Sequence, residues 1–209
     1  MKVLITGSTG FIGQALVVEL MRQNFNTSIV VRQKTNLFPD VVEQFIIGDF
    51  ENTSDFSTCL VGVICVIHLA GRAHVLDKSE ASALDEFRKI NIELTLNLAK
   101  QAVTAGVDKF IFLSSIGVNG NQNIRPFLES DIPNPQEPYA ISKYEAEQGL
   151  LKFTKNSSLE VVIIRPPLVY GGNAPGNFGR LIQWAGAKFI LPLSLGAVNN
   201  DRSLIAIDN

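Results

Sequence analysis

Thr6-Gly7-Ser8-Thr9-Gly10-Phe11-Ile12-Gly13 is the stretch that decides the fold. It follows a short apolar run at 2–6 and opens a segment, 11–23, in which Ile12, Ala15, Leu16 and Leu20 share one helical face. A strand, then glycines at 7, 10 and 13, then a helix is the arrangement a pyrophosphate requires. One glycine makes the tight turn, one lets the backbone approach the phosphates, and one lets helix and sheet pack closely. The helix N-terminus adds unpaired N–H groups and the positive end of a dipole. The stretch reads as a dinucleotide-binding turn, with Gly7, Thr9, Gly10, Phe11, Ile12 and Gly13 around the phosphates.

Outward from this turn, apolar runs at 27–31, 45–47, 63–69, 110–113 and 161–164 alternate with helical segments at 80–105 and 139–154. Alternating strands and helices predict right-handed βαβ units and an α/β fold with a doubly wound parallel sheet of Rossmann type. Continuous apolar runs suit strands buried on both faces. Residues 1–170 read as the dinucleotide-binding domain. Residues 171–209 are irregular and read as part of a small C-terminal substrate lobe. The run at 203–209 looks like a strand with nothing after it, so we expect this lobe to be truncated.

Composition excludes several classes. With 46% apolar and 18% charged residues among 209, the chain is globular rather than disordered. A net charge of −2 with no concentration of Lys and Arg gives no electrostatic basis for a nucleic-acid or membrane partner. The apolar run after Lys2 stops at Thr6-Gly7, too soon for a signal peptide. The longest apolar stretch, 60–70, is broken by Gly62 and His68 and falls short of the ~18–20 residues that span a bilayer. We expect a cytoplasmic protein, with Cys59 and Cys65 as structural thiols in a reducing compartment. Two Cys and two His offer no metal-ligand spacing.

Tyr139-Ala140-Ile141-Ser142-Lys143 sets a phenol and an ammonium one helical turn apart. A nearby cation favours phenolate, so the pair suits proton transfer in a carbonyl/alcohol interconversion. Pro138 restricts the backbone entering that helix. Ser114-Ser115 closes the run 110–113, at the strand end where doubly wound sheets bind ligands. Asn91 interrupts an apolar stripe and must find a partner, which a core backbone group could equally supply. Arg32 follows the second strand, where an acid would select NAD; an arginine suits a 2′-phosphate, so NADP is favoured over NAD. Asp49 is a candidate for hydrogen bonding the adenine. His68 reads as a satisfied core histidine, and His74 receives no role.

Taken together, the glycine turn, Ser115, Tyr139 and Lys143 resemble the extended short-chain dehydrogenases/reductases, the NAD-dependent epimerase/dehydratase family. Gly48-Asp49-Phe50, Leu69-Ala70-Gly71, Asn91, Arg165-Pro166-Pro167-Leu168-Val169-Tyr170-Gly171 and the segment 202–208 extend the resemblance over the whole chain. It implies that Tyr139 is the acid/base, that Lys143 tunes it and binds the nicotinamide ribose, and that Ser115 orients the substrate oxygen. Phe50, Leu69, Ala70, Gly71, Asn91, Ser114, Pro166 and Val169 complete the implied cofactor surface. The implied substrate is a nucleotide-linked sugar, and the implied reaction is epimerisation or keto-sugar reduction by hydride transfer. The family's dehydratases carry an Asp-Glu pair directly after the residue matching Ser115; here stand Ile116 and Gly117, which disfavours dehydration. Arg180 and Arg202 are candidates for the substrate diphosphate. Reduction of a non-sugar carbonyl and a non-catalytic NAD(P) sensor stay open as alternatives. By family analogy the chain forms a homodimer through the helical segments 80–105 and 139–154.

Overall fold

Six parallel strands run in the order β3-β2-β1-β4-β5-β6 in the computed structural model. The structure describes residues 1–49, 55–73, 80–172, 174–175, 179–180 and 203–209. The strands are β1 (Lys2–Thr6), β2 (Asn26–Val31), β3 (Glu43–Ile46), β4 (Cys65–His68), β5 (Lys109–Leu113) and β6 (Glu160–Ile164). The order reverses on either side of β1, whose Thr6 pairs with Val30 of β2 and His68 of β4. Crossovers that leave a sheet in opposite directions open a crevice at the strands' carboxyl ends, which is where such sheets bind ligands.

Side-chain alternation along β1 feeds two cores. Val3 and Ile5 join Ile29 and Val31 under Leu16, Val17, Leu20 and Met21 of α1 (Phe11–Arg22) on one face. Leu4 joins Val66, Phe110 and Phe112 on the other, beneath Leu98, Ala99 and Ala102 of α3 (Thr95–Thr104) and Ala146 and Leu150 of α4 (Pro138–Thr154). β1, β2 and β4 are buried on both faces, as expected, while β5 buries one face fully and the other in part. The edge strands β3 and β6 are only partly buried, because each has a neighbour on one side alone.

The segment 80–105 departs from a single α-helix. It comprises α2 (Glu80–Arg88), a π-helical turn over Lys89–Leu94 and α3. The turn contains Asn91, whose carbonyl accepts the Thr95 hydroxyl at 2.7 Å. Such turns inside a helix are frequent at functional sites.

The chain divides into two compact units, Met1–Arg165 and Pro166–Asn209. Within the second, β7 (Leu168–Tyr170) pairs in parallel with β8 (Leu204–Ala206), with Val169 opposite Ile205. Among the described residues no helix is long and apolar enough to cross a membrane. Cys59 and Cys65 are free and buried, and no group of metal ligands occurs among the described residues.

Candidate active site

The glycine turn joins β1 to α1 with a geometry that side chains would prevent. Gly7 has φ +72°, and a Cβ there would lie 2.6 Å from the Ala70 amide nitrogen. A Cβ on Gly13 would collide with the Gly7 carbonyl oxygen and sit 2.7 Å from Ser8 Cα. Gly10 is the N-cap of α1 and supplies no capping side chain, leaving the helix's first amides for a ligand. Ser8 Oγ is buried without a hydrogen-bond partner. Next to the turn, Thr9, Val31, Arg32, Gln33, Gly48 and Asp49 line an open cleft of ≈ 520 Å³. Arg32 is exposed and makes no ion pair among the described residues. These features fit the adenosine end and pyrophosphate of a dinucleotide: a bare helix end, room for the backbone to approach, and an adjoining cleft. Phe50 lies outside the described residues.

Across the switch point, the loop after β4 closes on α4. Leu69 N donates to Thr6 O at 3.1 Å, which holds the loop to β1. A Cβ on Gly71 would lie 3.2 Å from Lys143 Nζ and 3.1 Å from Asn91 Oδ1. Gly7, Ala70, Gly71, Asn91 and Lys143 thus come together as the sequence implies.

On α4, Pro138 occupies the first turn, and Tyr139 and Lys143 follow one turn apart. Lys143 is 3% exposed; its Nζ donates to Leu113 O at 2.9 Å and lies 4.6 Å from the Phe112 ring centre. Burial draws the ammonium down to about 8, against the opposing pull of Glu147. The Tyr139 phenol edge-packs on Phe87 at 5.8 Å, and burial pushes its pKa above the usual phenol value. The expectation that Lys143 lowers the phenol is therefore corrected for this arrangement: desolvation of Tyr139 dominates, and the ammonium is occupied by Leu113 and Phe112.

The two serines have different tasks. Ser115 caps the short turn Ile116–Val118, its Oγ accepting from Gly117 N at 3.2 Å, so its hydroxyl hydrogen is left to donate. Ser114 is buried, and its Oγ donates to Glu147 Oε1 at 2.5 Å. Asn91, fully buried, spends its side chain inside the protein. Oδ1 accepts from Arg72 N at 2.9 Å, while Nδ2 donates to Arg72 O at 3.1 Å and Ser142 Oγ at 2.9 Å. Both residues are committed to partners inside the protein.

Sequence reasoning missed Glu147 and gave no role to Arg165. Glu147 is buried and takes Arg165 Nε at 2.9 Å and Nη2 at 2.5 Å, while Arg165 Nη1 donates to Asn119 Oδ1 at 3.1 Å. This cluster ties α4 to the ends of β5 and β6. The one local signal was spacing: Tyr139, Lys143 and Glu147 repeat every four residues along one helical face. Pro166 and Val169 belong to the second unit, as does the exposed Arg180. Arg202 and His74 lie outside the described residues.

Comparison with known proteins agrees with this geometry. The family model described as NAD dependent epimerase/dehydratase family matches residues 3–204. A UDP-glucose 4-epimerase of Vibrio cholerae is 41% identical over 212 residues, covering 100% of this chain and 63% of that protein. The chain thus spans less than two thirds of the length of that curated relative. The structure of MoeE5 in complex with UDP-glucose and NAD superposes with a TM-score of 0.80 at 29% identity, over 99% of this chain and 68% of the other. A UDP-glucuronic acid 4-epimerase of Bacillus cereus, in complex with a fluorinated UDP-sugar and NAD, gives a TM-score of 0.81 at 25% identity, over 100% of this chain and 70% of the other. With the family model matching nearly its whole length, the chain belongs to the NAD-dependent epimerase/dehydratase family, the extended short-chain dehydrogenases/reductases.

Proposed function

We propose that this chain carries the catalytic module of a nucleotide-sugar epimerase or keto-sugar reductase, with Tyr139, Lys143 and Ser115 at the reacting carbon. The observation that carries this reading is the buried Lys143, one turn beyond Tyr139 and against the Gly71 backbone. A buried ammonium is costly to hold unless it has chemistry to perform. The dinucleotide would be held by the turn from Gly7 to Gly13, by Arg32 and Asp49 at the adenosine end, and by Leu69, Ala70 and Gly71 beside the nicotinamide. Bound there, the nicotinamide supplies an acceptor or donor for hydride.

The protein's own residues move the proton. In the oxidative direction the Tyr139 oxygen takes the proton of the sugar hydroxyl as hydride leaves the same carbon. In reduction it returns a proton to the carbonyl oxygen. Burial of Tyr139 favours the neutral phenol that donates in reduction, while Lys143, drawn down to about 8 and mostly charged at neutral pH, would hold the nicotinamide ribose. Ser115 donates its free hydroxyl hydrogen to the same substrate oxygen. Ile116 and Gly117 carry no acid or base beside that serine, which supports epimerisation or reduction over dehydration. The UDP-sugars held by MoeE5 and the Bacillus cereus epimerase support a UDP-linked sugar here. Arg32, exposed at the cleft without an ion pair among the described residues, supports acceptance of NADP as well as NAD, the arrangement of a reductase with an exchangeable cofactor.

The test is turnover of UDP-glucose and 4-keto UDP-sugars with NAD(H) and NADP(H), with Tyr139→Phe alongside. Loss of an acid/base is expected to lower the rate by roughly 10²–10⁴ while dinucleotide affinity is kept. A Tyr139→Phe protein as active as the unaltered one contradicts the reading.

A further inference from the structure

Between the glycine turn and the π-helical turn runs a line of buried hydrogen bonds whose direction is fixed by its ends. Thr95 Oγ1 lies 2.7 Å from the carbonyl of Asn91. A carbonyl only accepts, so the single hydroxyl hydrogen of Thr95 is committed there. His68 Nε2 lies 2.9 Å from the same Thr95 oxygen and must therefore donate to it. A neutral imidazole with hydrogen on Nε2 has a bare Nδ1. Thr6 Oγ1, at 2.6 Å from Nδ1, must in turn donate. Its remaining lone pair accepts from the Ala70 amide at 3.3 Å.

The line runs one way: Ala70 N–H to Thr6, Thr6 to His68, His68 to Thr95, and Thr95 to the Asn91 carbonyl. A second line leaves the Asn91 side chain through Ser142, whose hydroxyl donates to Tyr139 O at 2.7 Å. Asn91 joins the two, its carbonyl ending the first line and its side chain starting the second, so the last residue of β1 is linked to the backbone of Tyr139.

We infer that His68 is held as the neutral Nε2–H tautomer and is a positioning residue, setting the dinucleotide turn at Thr6 against the Ala70 loop and the π-helical turn. The positioning half of this inference rests on the dinucleotide-site reading. An imidazolium would need Thr6 to accept from both Nδ1 and Ala70, leaving its own hydrogen without an acceptor. It would also set a second cation beside Phe112, whose ring stacks on His68 at 5.9 Å and lies under Lys143. Full burial of His68 opposes the charged form as well. Sequence reading treats this histidine as a satisfied core residue. The structure gives it a direction and a task.

The tautomer is read without ligand, by long-range proton–nitrogen correlation spectra of the ¹⁵N-labelled protein at neutral pH. His74→Gln leaves His68 as the single histidine. The expected spectrum shows Nε2 protonated and Nδ1 bare; an Nδ1–H ring or an imidazolium overturns the inference. The positioning role is read by NADH titration of Thr6→Val and Thr6→Ser, with the melting temperature followed in parallel. Thr6→Val breaks both bonds at Thr6 and is expected to weaken NADH binding roughly tenfold. Thr6→Ser keeps the hydroxyl and is expected to restore affinity. Unchanged affinity in Thr6→Val, or a loss that only tracks the unfolded fraction, overturns the role. Failure of the unaltered protein to bind NADH or NADPH overturns the dinucleotide-site reading and the positioning role together, and leaves the tautomer to be judged on its own spectrum.

Discussion

Glu147 lies one helical turn beyond Lys143 and grips Arg165 with both carboxylate oxygens, at 2.9 Å to Nε and 2.5 Å to Nη2. Only 1% of the Glu147 side chain is exposed, against 21% for Arg165. The pair therefore holds α4 to the end of β6, while Ser114 holds the same carboxylate to β5.

Glu147→Gln should cost about 3 kcal/mol of folding stability, because removing one partner of a buried pair strands the other. Denaturant unfolding measures this. An unchanged midpoint would show that the pair contributes little.

Acid should destabilise the fold through His68. Burial lowers this histidine from 6.5 to about 3. Between those values the unfolded chain binds a proton that the folded chain excludes. Stability is therefore fully present above pH ~6.5 and falls toward pH 3 by up to about 1.4 kcal/mol per pH unit. Unfolding at several pH values, compared with His68→Gln, isolates this slope. A variant with the same acid dependence would remove His68 as its source.

Lys143 acts in the opposite range. Its ammonium falls from 10.5 to about 8 on burial, so between these values the unfolded chain again binds the extra proton. Stability should rise with pH across that window, and Lys143→Met should lose the rise. The same variant should match or exceed the unaltered protein in stability at neutral pH while losing turnover. A clear loss of neutral stability would mean that the Leu113 bond outweighs the burial cost.

The fold was legible where its signals are local. The glycine spacing and the adjoining apolar stripe announce β1, the turn and α1 within about twenty residues of sequence, and the later strands follow by alternation. Of the candidate site, Tyr139, Lys143 and Ser115 stand out in sequence because they fall at a strand end or at helical spacing. Asn91 was visible as a polar break in an apolar face. Its partners Arg72 and Ser142 were not, because they lie 19 and 51 residues away and meet it only in the folded sheet. Glu147 was not singled out, since nothing adjacent in sequence reveals Arg165. The π-helical turn was hidden for the same reason: its residues carry no helix-breaking signal, and the bonds of Asn91 and Thr95 are tertiary.

The central claim is that the turn at Gly7, Gly10 and Gly13 holds a nicotinamide dinucleotide for the site around Tyr139. Calorimetric titration of the protein with NAD and, separately, NADP tests it most directly, with Gly13→Ala as the comparison. The account predicts saturable binding of one dinucleotide per chain, abolished in Gly13→Ala by the collision with Gly7 and Ser8. Binding of neither dinucleotide, or undiminished binding by Gly13→Ala, would contradict it.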